Sequence, residues 1–134
     1  VTRAFLDSNV VIYAFSDDPR NSVAEDLLGR GCELSVQVLN EFTNVARRKL
    51  GFSWAEITDA VEAITTLSRI VHPLGFATHQ EAVRLAERYG LGFYDTLIVA
   101  SALQSGCAVL YSEDMQHALI VDEQLRIENP FQAE

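Results

Sequence analysis

Phe5-Leu6-Asp7-Ser8-Asn9-Val10 packs a strand, an acid and a helix start into six residues. Residues 4–6, Ala-Phe-Leu, are an apolar run of the length of a short buried strand. The run stops at Asp7-Ser8, and either side chain can cap a helix through Asn9–Phe15. A carboxylate therefore stands where a strand ends and a helix begins.

The same alternation continues outward from this stretch. Asp18-Pro19 gives an N-cap with proline at the first helical position, and that helix ends near Gly29 and Gly31. Residues 33–35 read as a second strand and Val36–Lys49 as a helix. In that helix Val38, Phe42, Val45, Ala46 and Leu50 form an apolar arc with Glu41 on its border. Ser53-Trp54-Ala55-Glu56 is a capping box opening a helix to about Ser68. Ile70-Val71-His72 is a strand stopped by Pro73, and Thr78-His79-Gln80-Glu81 reads as a second capping box, its helix closing at Gly90. Thr96–Gln104 is apolar almost all round, which predicts a central buried helix ended by Gly106. Cys107–Tyr111 reads as a buried strand and Leu125–Ile127 as a last, edge strand.

Strands that alternate with helices imply an α/β fold: a three-layer sandwich whose short, mainly parallel central sheet is flanked by helices. No repeat, low-complexity tract or linker interrupts the chain, so residues 1–134 are expected to form a single domain. In such folds ligands bind beyond the carboxyl ends of the strands.

Composition narrows the function. Apolar residues make up 49 % of the chain, which excludes disorder. No apolar run approaches the ~20 residues of a membrane span, and the opening residues run straight into a strand, so no signal peptide is expected. Cys32 and Cys107 read as buried free thiols, which suits a reducing cytoplasm. The net charge of −9 argues against gripping nucleic acid by bulk positive charge. It fits a cation-binding acidic site, a basic partner, or simple solubility. His72, His79 and His117 are scattered and lack zinc-ligand spacing, although His117 lies close to Asp114. No nucleophile elbow or phosphate-binding glycine loop occurs. Arg47-Arg48-Lys49 is the sole cationic run; it suits a solvated helix end or RNA phosphates.

Four acids remain: Asp7, Glu41, Asp95 and Asp114, each beside an apolar run. Singly, Asp7, Asp95 and Asp114 also read as caps, and Glu41 as a solvated border residue. Together they fall at one edge of the expected sheet. Carboxylates against a core need partners, nearby cations are few, and a hard divalent metal prefers oxygen ligands. Asn9 and Ser112, each two residues from an acid, can orient a carboxylate or belong to ordinary turns.

Phe5-Leu6-Asp7-Ser8-Asn9-Val10, Asn40-Glu41-Phe42, Tyr94-Asp95-Thr96-Leu97-Ile98 and Leu110-Tyr111-Ser112-Glu113-Asp114-Met115 occur in this order, and Asn129-Pro130-Phe131 follows near the end. In these motifs the chain resembles PIN-domain ribonucleases, most of all VapC-like toxins of type II toxin–antitoxin systems. The resemblance implies that Asp7, Glu41, Asp95 and Asp114 are catalytic and bind Mg²⁺ or Mn²⁺, with Asn9 and Ser112 in support. It implies an RNA substrate cut by metal-activated water, a cognate antitoxin, a homodimer and no membrane. One departure is Ala118, where the resemblance leads one to expect glycine. Two rival readings stand beside it. One is an aspartyl phosphotransferase or phosphatase using Asp7 as nucleophile, although Asn9 replaces the second acid of an Asp-x-Asp motif. The other is a non-catalytic binding module of the same fold.

Overall fold

The computed structural model describes residues 2–132. Its elements in chain order are β1 (Ala4–Leu6), α1 (Ser8–Ala14), α2 (Asn21–Gly29), β2 (Glu33–Ser35), α3 (Val36–Arg48), α4 (Trp54–Leu67), β3 (Ile70–His72), α5 (Phe76–Tyr89), α6 (Phe93–Ser105), β4 (Val109–Tyr111), β5 (Ile120–Val121) and β6 (Leu125–Glu128). The six strands form one sheet in the order β3-β2-β1-β4-β6-β5. All neighbours are parallel except β5 and β6. The expected layered α/β architecture with a short, mainly parallel sheet is what the chain adopts.

Short strands buried on both faces explain the apolar runs, because helices cover each side. Phe5, Leu6, Leu34, Leu110, Leu125 and Ile127 are fully buried at the centre. In α6 every residue from Thr96 to Ala102 is buried, which is why its sequence shows no polar face. It ends at Gly106, whose φ of 80° is the left-handed turn that glycine accepts without strain. Among the described residues no helix is long and apolar enough to cross a membrane.

Four expectations are corrected. Asp18 does not cap α2, which starts at Asn21; its carboxylate instead accepts the Arg20 N–H at 2.9 Å and the Arg20 guanidinium at 2.8 Å. Thr78 is not the start of α5. Gly75 holds the cap position, and Thr78 is its third helical residue, with its hydroxyl 3.5 Å from the Gly75 N–H. Cys107 lies before β4, since its N–H still closes α6 by donating to the Ala102 carbonyl at 3.2 Å. β6 is not the edge: β5 lies outside it, joined by a turn in which the Gln124 N–H donates to the Val121 carbonyl at 3.0 Å.

Candidate active site

The site lies beyond the carboxyl ends of β1 and β4. These strands pair Leu6 with Tyr111, so the residues that follow each, Asp7 and Ser112, emerge side by side. Asp7 is the N-cap of α1, and its Oδ1 accepts the Ser8 N–H at 2.6 Å. Its Oδ2 accepts from the Ser112 hydroxyl at 2.7 Å and the Asn9 amide at 3.2 Å. The side chain is 2 % exposed. Asp7 therefore caps α1 and at the same time lies at the centre of a polar cluster.

Two polar side chains link it to the other acids. Asn9 Nδ2 also donates to Asp114 Oδ2 at 3.2 Å. The Glu113 N–H donates to Asn9 Oδ1 at 3.2 Å, which turns the amide nitrogen toward the acids. The Ser8 hydroxyl donates to Glu41 Oε1 at 2.7 Å, and Gln37, one turn earlier on α3, donates to Glu41 Oε2 at 3.0 Å. Glu41 lies half-buried on the border of the α3 apolar face, as its spacing predicts. Asp95 occupies the first turn of α6, half-buried, and Asp114 is exposed in the loop after β4.

Electrostatics bind the four into one unit. Burial pushes Asp7 up to about 6, Ser112 and the Ser8 N–H hold it down in part, and Glu41 and Asp95 push it further up. Asp95 is also raised, first by burial, then by Glu41 and Asp114. Asp95 is thus joined to the others through its field, whereas Glu41 and Asp114 reach Asp7 through hydrogen-bonded intermediaries. Among the described residues no lysine, arginine or histidine forms an ion pair with any of the four.

The donor set consists of carboxylate oxygens alone, which suits a hard divalent cation. Among the described residues no three His, Cys, Asp or Glu side chains converge closely enough to hold one ion directly. A divalent ion there would touch one or two carboxylates directly and reach the others through water.

Sequence reasoning missed three supports. Ser8 and Gln37 fix Glu41; Ser8 lay inside the first motif, and Gln37 stands four residues before Glu41 on one helix face. The third support is a clasp: Glu113 accepts from Tyr13 at 2.6 Å and from Arg20 at 2.8 Å. Arg20 also lies over the Tyr13 ring at 4.6 Å. The clasp fastens the loop that carries Asp114, and no local signal joins residues so far apart in sequence. A groove of about 380 Å³ runs from Asn9 and Asp114 past Tyr13 to Lys49. Arg47 is engaged elsewhere, 4.9 Å over the Trp54 ring and bonded to the Phe52 carbonyl at 3.1 Å. His117 accepts the Asn129 N–H at 3.0 Å, which ties two loop segments together.

Over residues 4–121 the sequence matches the PIN domain family. VapC20 of Mycobacterium tuberculosis, a toxin that cleaves the sarcin–ricin loop, has a similar fold: TM-score 0.67, 21 % identity, 83 % of this chain and 89 % of its own covered. A toxin–antitoxin complex from Klebsiella pneumoniae gives 0.74 at 17 % identity, over 97 % of this chain and 99 % of that one. VapBC2 from Rickettsia felis, bound to a DNA fragment from its promoter, gives 0.65 at 18 %, over 96 % and 98 %. At these identities the likeness is one of fold. No curated protein sequence matches the chain.

Proposed function

Because the chain belongs to the PIN-domain family, we propose that it is a VapC-like toxin, a single-domain cytoplasmic endoribonuclease that uses Mg²⁺ or Mn²⁺. One observation carries this reading: a buried carboxylate, Asp7, lies in the field of Glu41 and Asp95, and among the described residues no cationic side chain pairs with any of the four acids. Like charges held this closely are relieved by a divalent ion. Asp7 and Asp95 would hold it, helped by Glu41 and Asp114 through water. The ion supplies Lewis-acid chemistry for hydrolysis of a phosphodiester.

The chain's own residues position. Ser112 and Asn9 hold Asp7 in one orientation, Ser8 and Gln37 aim Glu41, and the Arg20–Glu113–Tyr13 clasp holds the loop of Asp114. Lys49, which lines the same groove, would meet an RNA phosphate. Water attacks phosphorus in line, leaving 5′-phosphate and 3′-hydroxyl ends without a covalent intermediate. A covalent role for Asp7 is disfavoured because Asn9 stands where an Asp-x-Asp nucleophile motif has its second acid.

Partners follow by analogy with the similar folds. A cognate antitoxin would cover the groove, and an arginine from it would meet the acids bidentately in place of the ion. The toxin itself would be a homodimer.

The test is the chemistry of the cut. RNA cleavage stops in EDTA, returns with Mg²⁺ or Mn²⁺, and yields 5′-phosphate and 3′-hydroxyl termini on end mapping. A 2′,3′-cyclic phosphate product would overturn the mechanism, since it requires attack by the ribose 2′-oxygen.

A further inference from the structure

Four aromatic side chains form a continuous run that ends at Tyr94, the residue before Asp95. Phe76 stacks on His79 with ring centroids 6.3 Å apart and an interplanar angle of 10°. His79 meets Phe93 edge-on at 5.4 Å, and Phe93 meets Tyr94 at 5.9 Å. Phe76 and His79 lie one turn apart on α5, while Phe93 and Tyr94 open α6, directly before Asp95. Phe76 is 75 % exposed, Tyr94 68 % and Phe93 36 %. Rings left this open in a contiguous run mark a contact surface.

We propose that this run is a stacking platform for unpaired bases of the RNA substrate; the proposal rests on the endoribonuclease reading above. Charge is the first argument. The chain carries −9 overall, and six of its ten cationic side chains are paired with carboxylates. Few cations remain to hold phosphates near the acids. Stacking supplies affinity without charge, and it tolerates any sequence because every base has a π-face. Position is the second argument. The run ends at Tyr94, so a strand stacked along it would lead its backbone toward Asp95. Chemistry is the third: bases in a duplex have no free faces, so such a platform selects loops and single strands. Val83 continues the exposed face of α5, and this makes a second copy of the chain the rival occupant.

The experiment uses Asp7→Asn protein with Mg²⁺, so that RNA is bound and not consumed. The probe is a fluorescein-labelled, mixed-sequence RNA of twelve nucleotides, followed by anisotropy. Phe76→Leu and Tyr94→Leu each weaken binding by about tenfold, while Tyr94→Trp preserves it. Leucine keeps apolar bulk and loses the π-face, so the pair of changes isolates stacking. The salt dependence stays unchanged because no cation is removed. A paired duplex of the same sequence binds more weakly and ignores the leucine changes. Leucine variants that bind like the parent would overturn the platform. So would leucine variants with a lower sedimentation mass and unaltered RNA affinity, which would make the run a contact between copies. Failure of the wild type to cleave RNA sinks the nuclease reading and the platform together. Cleavage by the wild type with no response to the leucine changes sinks the platform alone.

Discussion

Asp7 and Glu33 are both buried carboxylates at strand ends, and their surroundings drive them in opposite directions. Burial and the neighbouring acids raise Asp7 from 3.8 to about 6. Hydrogen bonds from Arg3, then from His72, pull Glu33 down from 4.5 to about 2 despite its burial. The linked pH windows are separate. Between about pH 4 and pH 6 the folded protein keeps a proton on Asp7 that the unfolded chain has released, so stability falls as pH rises, by up to about 3 kcal/mol. Glu33 contributes stability that is complete above pH 4.5 and is lost as pH falls toward 2. In EDTA, Asp7→Asn should therefore flatten the melting temperature between pH 4 and pH 6 and leave the acid limb below it intact. A wild-type slope that survives in the variant would assign this window to other groups. The positions of the four acids, Asn9 and Ser112 were legible: Asp7, Asn9, Ser112 and Asp114 follow strand-like runs, Glu41 borders the apolar arc of α3, and Asp95 stands at the head of the apolar helix α6. Ser8 and Gln37 were not, because their task is set by a contact across the fold: Ser8 meets Glu41 on α3, and Gln37 serves only because Glu41 points inward.

Elements were legible where the punctuation was strong. β1, β2 and β3 match their expected bounds because each is a three-residue apolar or mixed run stopped by a cap or proline. β5 was hidden because its turn lacks the usual glycine or asparagine: Asp122 and Glu123 both take positive φ, 50° and 60°. That strain is offset by tertiary bonds; Tyr89 accepts the Asp122 N–H at 2.7 Å, and Arg84 pairs with the Asp122 carboxylate. Ala118 is strained in the same way, with φ 67°, in the loop where glycine was expected. An alanine in the left-handed region costs about 1 kcal/mol, and glycine removes it. Ala118→Gly should raise the urea midpoint by an amount worth about 0.5–1 kcal/mol, with an unchanged m-value. A lower midpoint would show that unfolded-state entropy outweighs the strain.

At the scale of the molecule, β1 is flanked by β2 and β4, and each half of the sheet grows outward from it. Arg3 before β1 grips Glu33 of β2 at 2.7 and 2.8 Å, and His72 of β3 meets the same carboxylate at 2.8 Å. This network holds three strands without touching the acid cluster. Glu33→Gln should lower stability by about 2 kcal/mol, less than for a fully buried pair because Arg3 is partly solvated. Cleavage per folded molecule should not change. Loss of activity ahead of unfolding, read by parallel circular dichroism, would mean that the network also sets the site.

The pairing of β1 with β4 has a consequence in time. Asp7 leaves the ribosome early, but Ser112 and Asp114, which complete its surroundings, follow more than a hundred residues later. Closing that long loop is a late step in folding. A chain whose translation stalls before β4 carries three of the four acids but lacks Ser112 and Asp114, so on the proposed toxin reading a half-made copy would be inactive in the cell that is making it.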